Sequence, residues 1–257
     1  MNTLASELNR IIEKGNINLL EMMSDIGRQL FFPKGILTQS AEAKEKAHRF
    51  NATAGIAKEN NETMRLDTVM RMINELDPSE SLTYAPSYGL PELRQLWRTK
   101  LYDQNPSIND HQISLPVVSC GITHGISVFA DVWVDPGDVI VLPEPMWGNY
   151  NMIFQVRKGA VIANYAIFGD DGAFNLTAFE KLVKTEAERH GKIIVMLNFP
   201  HNPTGYTITE QEGNALARIL IETAESGCNV IAVTDDSYFG LFYEENTPVS
   251  YTHLRAH

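Results

Sequence analysis

Four short apolar runs constrain the fold of this chain most: residues 115–119, 139–142, 193–197 and 230–233. None shows the apolar/polar alternation of a strand with one wet face, so each reads as a strand covered on both faces. Helical stretches separate them. The pattern predicts an α/β fold, a mostly parallel sheet sandwiched by helices. Before residue 115 the chain reads as a helical N-terminal segment. Ile17, Leu20, Met23, Ile26 and Leu30 fall at helical spacing up to Pro33, and Leu66, Val69, Met70, Ile73 and Leu76 form a second stripe ended by Asp77 and Pro78. Pro91 suits the first turn of a further helix, expected to bury Leu93, Leu96, Trp97 and Leu101. Thr209 with Glu212 forms a capping box for a helix through Leu216, Ile219 and Leu220.

The composition sets broad limits. Of 257 residues 44% are hydrophobic and 21% charged, enough for a sizeable buried core. Thirty-two acids against 21 bases give a net charge of -11, which argues against a nucleic-acid partner. No stretch approaches the roughly 20 apolar residues of a membrane span, and residues 1–13 lack a signal-peptide core. Cys120 and Cys228 form neither a disulfide framework nor a metal-ligand spacing. A reduced, cytoplasmic setting and no metal site are expected.

Ligands of open α/β sheets sit beyond the carboxyl ends of the strands. The first run leads into Gly121, Ile122, Thr123, His124 and Gly125, which open a helix with Ile126, Phe129, Ala130 and Trp133 on its apolar face. A glycine before a helix N-terminus, with a hydroxyl in the first turn, is a generic anion cradle and equally an ordinary capped turn. Trp147 comes after the second run and is either a core aromatic or a flat platform for a planar ring. The third run leads into Asn198, Phe199, Pro200, His201, Asn202, Pro203, Thr204 and Gly205, more particular than a turn requires. Asp235, Asp236, Ser237 and Tyr238 come after the fourth, where an acid serves as helix cap or as a ligand group.

His201 to Gly205, joined one strand later by Asp235 and Tyr238, resembles the signature of class I/II aminotransferases, pyridoxal 5'-phosphate (PLP) enzymes of fold type I. The resemblance spans about residues 48–243. It implies that Asp235 keeps the pyridine nitrogen of PLP protonated, that Asn202 and Tyr238 bond its phenolic oxygen, and that Trp147 stacks on the ring. It places the phosphate at Gly121, Ile122 and Thr123, with Tyr84 reaching it from the partner subunit of a homodimer. The stretch 51–55 is similar, more loosely, to the segment whose glycine, here Gly55, touches the substrate carboxylate. Residues 1–60 would contribute to a small domain and 61–250 to the PLP-binding large domain.

The implied activity moves an amino group between an amino acid and a 2-oxo acid. The family's cofactor-bearing lysine should come after Tyr238, but the last lysine is Lys192, so no catalytic residue is assigned. Together with a tail, residues 251–257, unlike the family, this makes the expected reading an N-terminal fragment, inactive by itself. The alternative is another fold type I PLP enzyme (a C–S lyase, decarboxylase or synthase) or an inactive PLP-binding module. A Rossmann dinucleotide site is disfavoured, because no strand leads into a Gly-x-Gly-x-x-Gly.

Overall fold

The computed structural model describes residues 2–23, 25–31, 36–51, 53, 58–60, 62–105, 108 and 113–241. Gly55 and the tail 251–257 lie outside them. Two compact units divide the chain, Met1–Ser87 and Tyr88–His257.

The first unit is mainly helical: α1 (Thr3–Gly15), α2 (Ile17–Met22), α3 (Asp25–Gln29) and α4 (Ile36–Lys46) precede a small antiparallel ladder of β1 (Lys58–Glu59) and β2 (Glu62–Thr63). Then come α5 (Asp67–Met72), a 3-10 turn (Ile73–Glu75) and α6 (Pro78–Ser81). The helical stripe from Ile17 breaks at Met23, and Arg28 of α3 donates back to the carbonyls of Leu20 and Glu21. The second stripe forms its turns, but Leu66, Val69, Met70, Ile73 and Leu76 are all exposed. Spacing decides which residues share a helix face; burial needs a second surface.

In the second unit, α7 (Pro91–Gln104) starts with Pro91 in its first turn, as expected. Leu93, Leu96 and Trp97 are exposed instead of buried, and Leu101 is half-buried. Lys100 lies over the Trp97 ring at 4.9 Å, an arrangement for a solvent-facing aromatic. Residues 115–119 correct a second expectation: they form no strand. Pro116 lacks a ladder donor, its carbonyl accepts from Arg94 Nε at 2.6 Å, and the Val118 N–H donates to the Tyr88 carbonyl.

The other three runs lie in one parallel sheet. It comprises β3 (Val139–Glu144), β4 (Val161–Ala166), β5 (Lys192–Asn198) and β6 (Asn229–Asp235), in the order β4-β3-β5-β6. Val139, Val141, Ile193, Val195 and Leu197 pack with Phe179 and Val183 of α10 (Leu176–Arg189) and with Leu216 and Ile219 of α11 (Glu210–Glu225). Ile140, Leu142, Ile194 and Met196 face the opposite layer. There they meet Ile126 and Ala130 of α8 (Ile122–Trp133), along with Tyr150 of α9 (Gly148–Tyr150) and Phe154 beyond it. The period-2 geometry of a strand thus feeds two cores, which is why these runs are apolar throughout. β6 is only half-buried, because it is an edge of the described sheet. The Thr209–Glu212 capping box opens α11 as read from the sequence. Among the described residues no helix is long and apolar enough to cross a membrane.

Candidate functional site

A cleft of about 160 Å³ opens at the carboxyl ends of β5 and β6, lined by Ile122, Trp147, Tyr150, Asn198, Asn202, Asp235, Ser237 and Tyr238. Parallel strands put their last residues at one edge of the sheet, and the register pairs Asn198 with Asp235 directly. The turns beyond the strands then decide which side chains face the cleft.

Asp235 is buried at 4% exposure. Its Oδ2 accepts from the Tyr150 hydroxyl at 2.6 Å; its Oδ1 accepts from the Ser237 hydroxyl at 2.6 Å and the Ser237 N–H at 3.2 Å. Three of the roughly four acceptor positions of a carboxylate are thereby used, which keeps the group oriented and leaves capacity for one more donor. Asn198 Nδ2 donates to the Asp235 carbonyl at 2.8 Å, and Asn198 Oδ1 accepts from the Asn202 N–H at 2.9 Å. Across the cleft, Asn202 Nδ2 donates to the Tyr238 hydroxyl at 3.3 Å.

Trp147 is half-buried, at the entrance to α9, which runs on as a π-helix over Asn151–Arg157. Its ring meets Tyr150 edge-on, with centroids 5.4 Å apart. At the other wall, Gly121 takes φ +90 as the cap of α8, a conformation that strains any residue with a Cβ. Ile122 forms that wall; Thr123 is exposed one residue further on. His124 folds back, its Nδ1 accepting from the Cys120 N–H at 3.0 Å.

Burial and the neighbouring Asp235 hold the Tyr150 phenol far above the ordinary tyrosine range, so it stays a donor. Burial, then the Asp235 charge, pushes Asp236 up to about 6. Burial lowers His201 to about 4; its imidazole Nδ1 lies 2.8 Å from the Thr204 hydroxyl and serves the turn.

Of the residues picked out in the sequence, Ile122, Trp147, Asn202, Asp235 and Tyr238 therefore line one cleft. Gly121 and Thr123 adjoin it at the α8 N-terminus, while Tyr84 belongs to the first unit and is fully exposed. Sequence reasoning missed Tyr150, Asn198 and Ser237. Tyr150 carried a signal, since three residues from Trp147 is one helical turn. The donor set fits PLP: a buried carboxylate for a ring N–H, an aromatic face, an amide–phenol pair, and a helix N-terminus whose free amides suit a phosphate. Among the described residues no cluster is arranged to hold a metal ion.

The family described as Aminotransferase class I and II matches residues 50–256. An aspartate aminotransferase of Bacillus subtilis is 29% identical over 190 residues, covering 74% of this chain and 44% of that protein. A probable aspartate/prephenate aminotransferase of Aquifex aeolicus is 31% identical over 168 residues, 65% of this chain and 39% of that protein. The chain thus spans less than half the length of these curated relatives. Among solved structures, an aminotransferase from Anaerococcus prevotii superposes with a TM-score of 0.74 at 22% identity, over 91% of this chain and 58% of that one. The cytoplasmic aspartate aminotransferase of Saccharomyces cerevisiae gives 0.67 at 19% identity, over 86% and 52%. At such identities the likeness establishes the fold.

Proposed function

Because the chain belongs to the class I and II aminotransferases, we propose that the cleft beyond β5 and β6 holds PLP in an enzyme that moves an amino group between an amino acid and a 2-oxo acid. The observation that carries the reading is the buried Asp235 carboxylate, facing the same cleft as Trp147, Asn202 and Tyr238.

PLP, when bound, supplies an electron sink that eases departure of a proton from the α-carbon of an amino acid. The chain's own residues set the conditions for that. Asp235 favours a proton on the ring nitrogen, because a carboxylate beside a base raises its pKa. Trp147 fixes the plane of the ring and keeps water from that face. Asn202 and Tyr238 donate to the phenolic oxygen and hold the ring in register. The amides at Gly121 and Ile122, with the Thr123 hydroxyl, hold the phosphate at the positive end of α8.

The exposed Tyr84 phenol supports a further part of the reading, in which it reaches the phosphate of a partner subunit in a homodimer. Gly55 would meet the substrate carboxylate. Two free thiols, Cys120 and Cys228, suit a reducing, cytoplasmic setting.

The experiment is a titration of the chain with PLP, then borohydride reduction and peptide mapping. Saturable binding weakened by Asp235→Asn and Trp147→Ala is expected. No single lysine should be labelled stoichiometrically: among the described residues none lines the cleft, and Lys192 pairs with Asp138 at the start of β5. Binding indifferent to Asp235 would refute the assignment.

A further inference from the structure

The cleft contains one buried hydroxyl with no place in this scheme, that of Tyr150. We propose that Tyr150 is a positioning residue: its phenol clamps Oδ2 of Asp235 while its ring braces Trp147, so that carboxylate and ring platform keep one fixed relation. The inference rests on the PLP reading and deepens it.

The geometry is specific. Tyr150 comes from the helix after β3, Asp235 from the end of β6, and β5 runs between them. A 2.6 Å hydrogen bond links the two side chains over 85 residues of sequence. Tyr150 is 2% exposed, and a buried phenol needs a partner; Asp235 is that partner. Its ring has no freedom to look elsewhere. Trp147 meets it edge-on at 5.4 Å, and Phe154, fully buried, stacks on it at 6.2 Å and 26°. A π-helix begins at the next residue, Asn151, and such irregular turns gather at functional sites.

Ser237 holds only Oδ1, through two bonds from a residue that is itself exposed. Tyr150 is the donor that fixes Oδ2, and it does so from a rigid core position. Titratable neighbours of Asp235 are Tyr150 across the sheet and Asp236 and Tyr238 on its own segment; β5 contributes the neutral Asn198 and α8 the apolar Ile122.

The test is a double-mutant cycle on PLP affinity, using the whole chain with Tyr150→Phe, Asp235→Asn and both. Phe keeps the ring packing and deletes only the hydroxyl. Tyr150→Phe should weaken PLP binding about tenfold, the usual effect of losing one bond to a charged acceptor. In the Asp235→Asn background it should change much less, because the amide leaves the phenol only an uncharged acceptor. Equal losses in both backgrounds would show that Tyr150 does not act through Asp235.

A second readout needs no cofactor. In the same double-mutant cycle read by urea unfolding without PLP, the losses from Tyr150→Phe and Asp235→Asn should be clearly non-additive, whereas a merely space-filling tyrosine would give additive ones. Saturable wild-type binding with an unaltered Tyr150→Phe overturns this inference alone. Absence of saturable wild-type binding overturns the PLP reading and this inference with it.

Discussion

Asn198 ties the last residue of β6 to the turn after β5: its Nδ2 donates to the Asp235 carbonyl at 2.8 Å and its Oδ1 accepts from the Asn202 N–H at 2.9 Å. The two chemical motifs of the chain, distant in sequence, are thereby held by one buried amide. Asn198→Ala strands a carbonyl and an N–H at once, so urea unfolding should report a loss of about 2–4 kcal/mol. Asn198→Asp keeps the acceptor but sets a charge beside Asp235, and PLP affinity should fall more than stability does. A variant Asn198→Ala as stable as the parent would show that the amide ties nothing.

His201 makes the turn acid-sensitive. Burial lowers its folded pKa to about 4, against 6.5 for the free side chain. Between those values the unfolded chain binds a proton that the folded chain refuses, so stability falls as pH drops through this window. Thermal melts at about pH 7.5 and about pH 5 should show a smaller loss for His201→Gln than for the parent. Equal losses would mean that His201 titrates normally in the fold.

Asp236 runs the other way. Its folded pKa is pushed up to about 6 by burial and by Asp235, above the ordinary 3.8. Its charge is therefore a cost fully present above pH 6, and relieved as pH falls toward 4. Asp236→Asn should raise Tm near neutral pH by about 2–4 °C and leave it little changed at about pH 4. A neutral-pH destabilisation would mean that Asp236 holds a partner worth more than its desolvation.

Much of the site was legible because strand ends are legible. Three of the four apolar runs are strands of one parallel sheet, and the turns after β5 and β6 supply Asn202, Asp235 and Tyr238. Trp147 stands beyond the end of β3 in the same way. Residues 115–119 looked alike on composition, yet pairing needs a neighbour, and Arg94 takes the Pro116 carbonyl instead. The exposed Leu96 and Trp97 have the same origin, since periodicity names a face without naming its cover. Tyr150 escaped notice because its role is to bond another side chain. Such a bond leaves no spacing signature between residues 85 apart.

The central claim is that Asp235 faces the ring nitrogen of PLP, and the ¹⁵N resonance of ring-labelled PLP bound to the chain reports this directly. A protonated-nitrogen shift that persists above the free ligand's own titration is expected, with reversion toward the neutral shift in Asp235→Asn. A neutral ring nitrogen in the parent chain, or a protonated one indifferent to Asp235→Asn, would contradict the account.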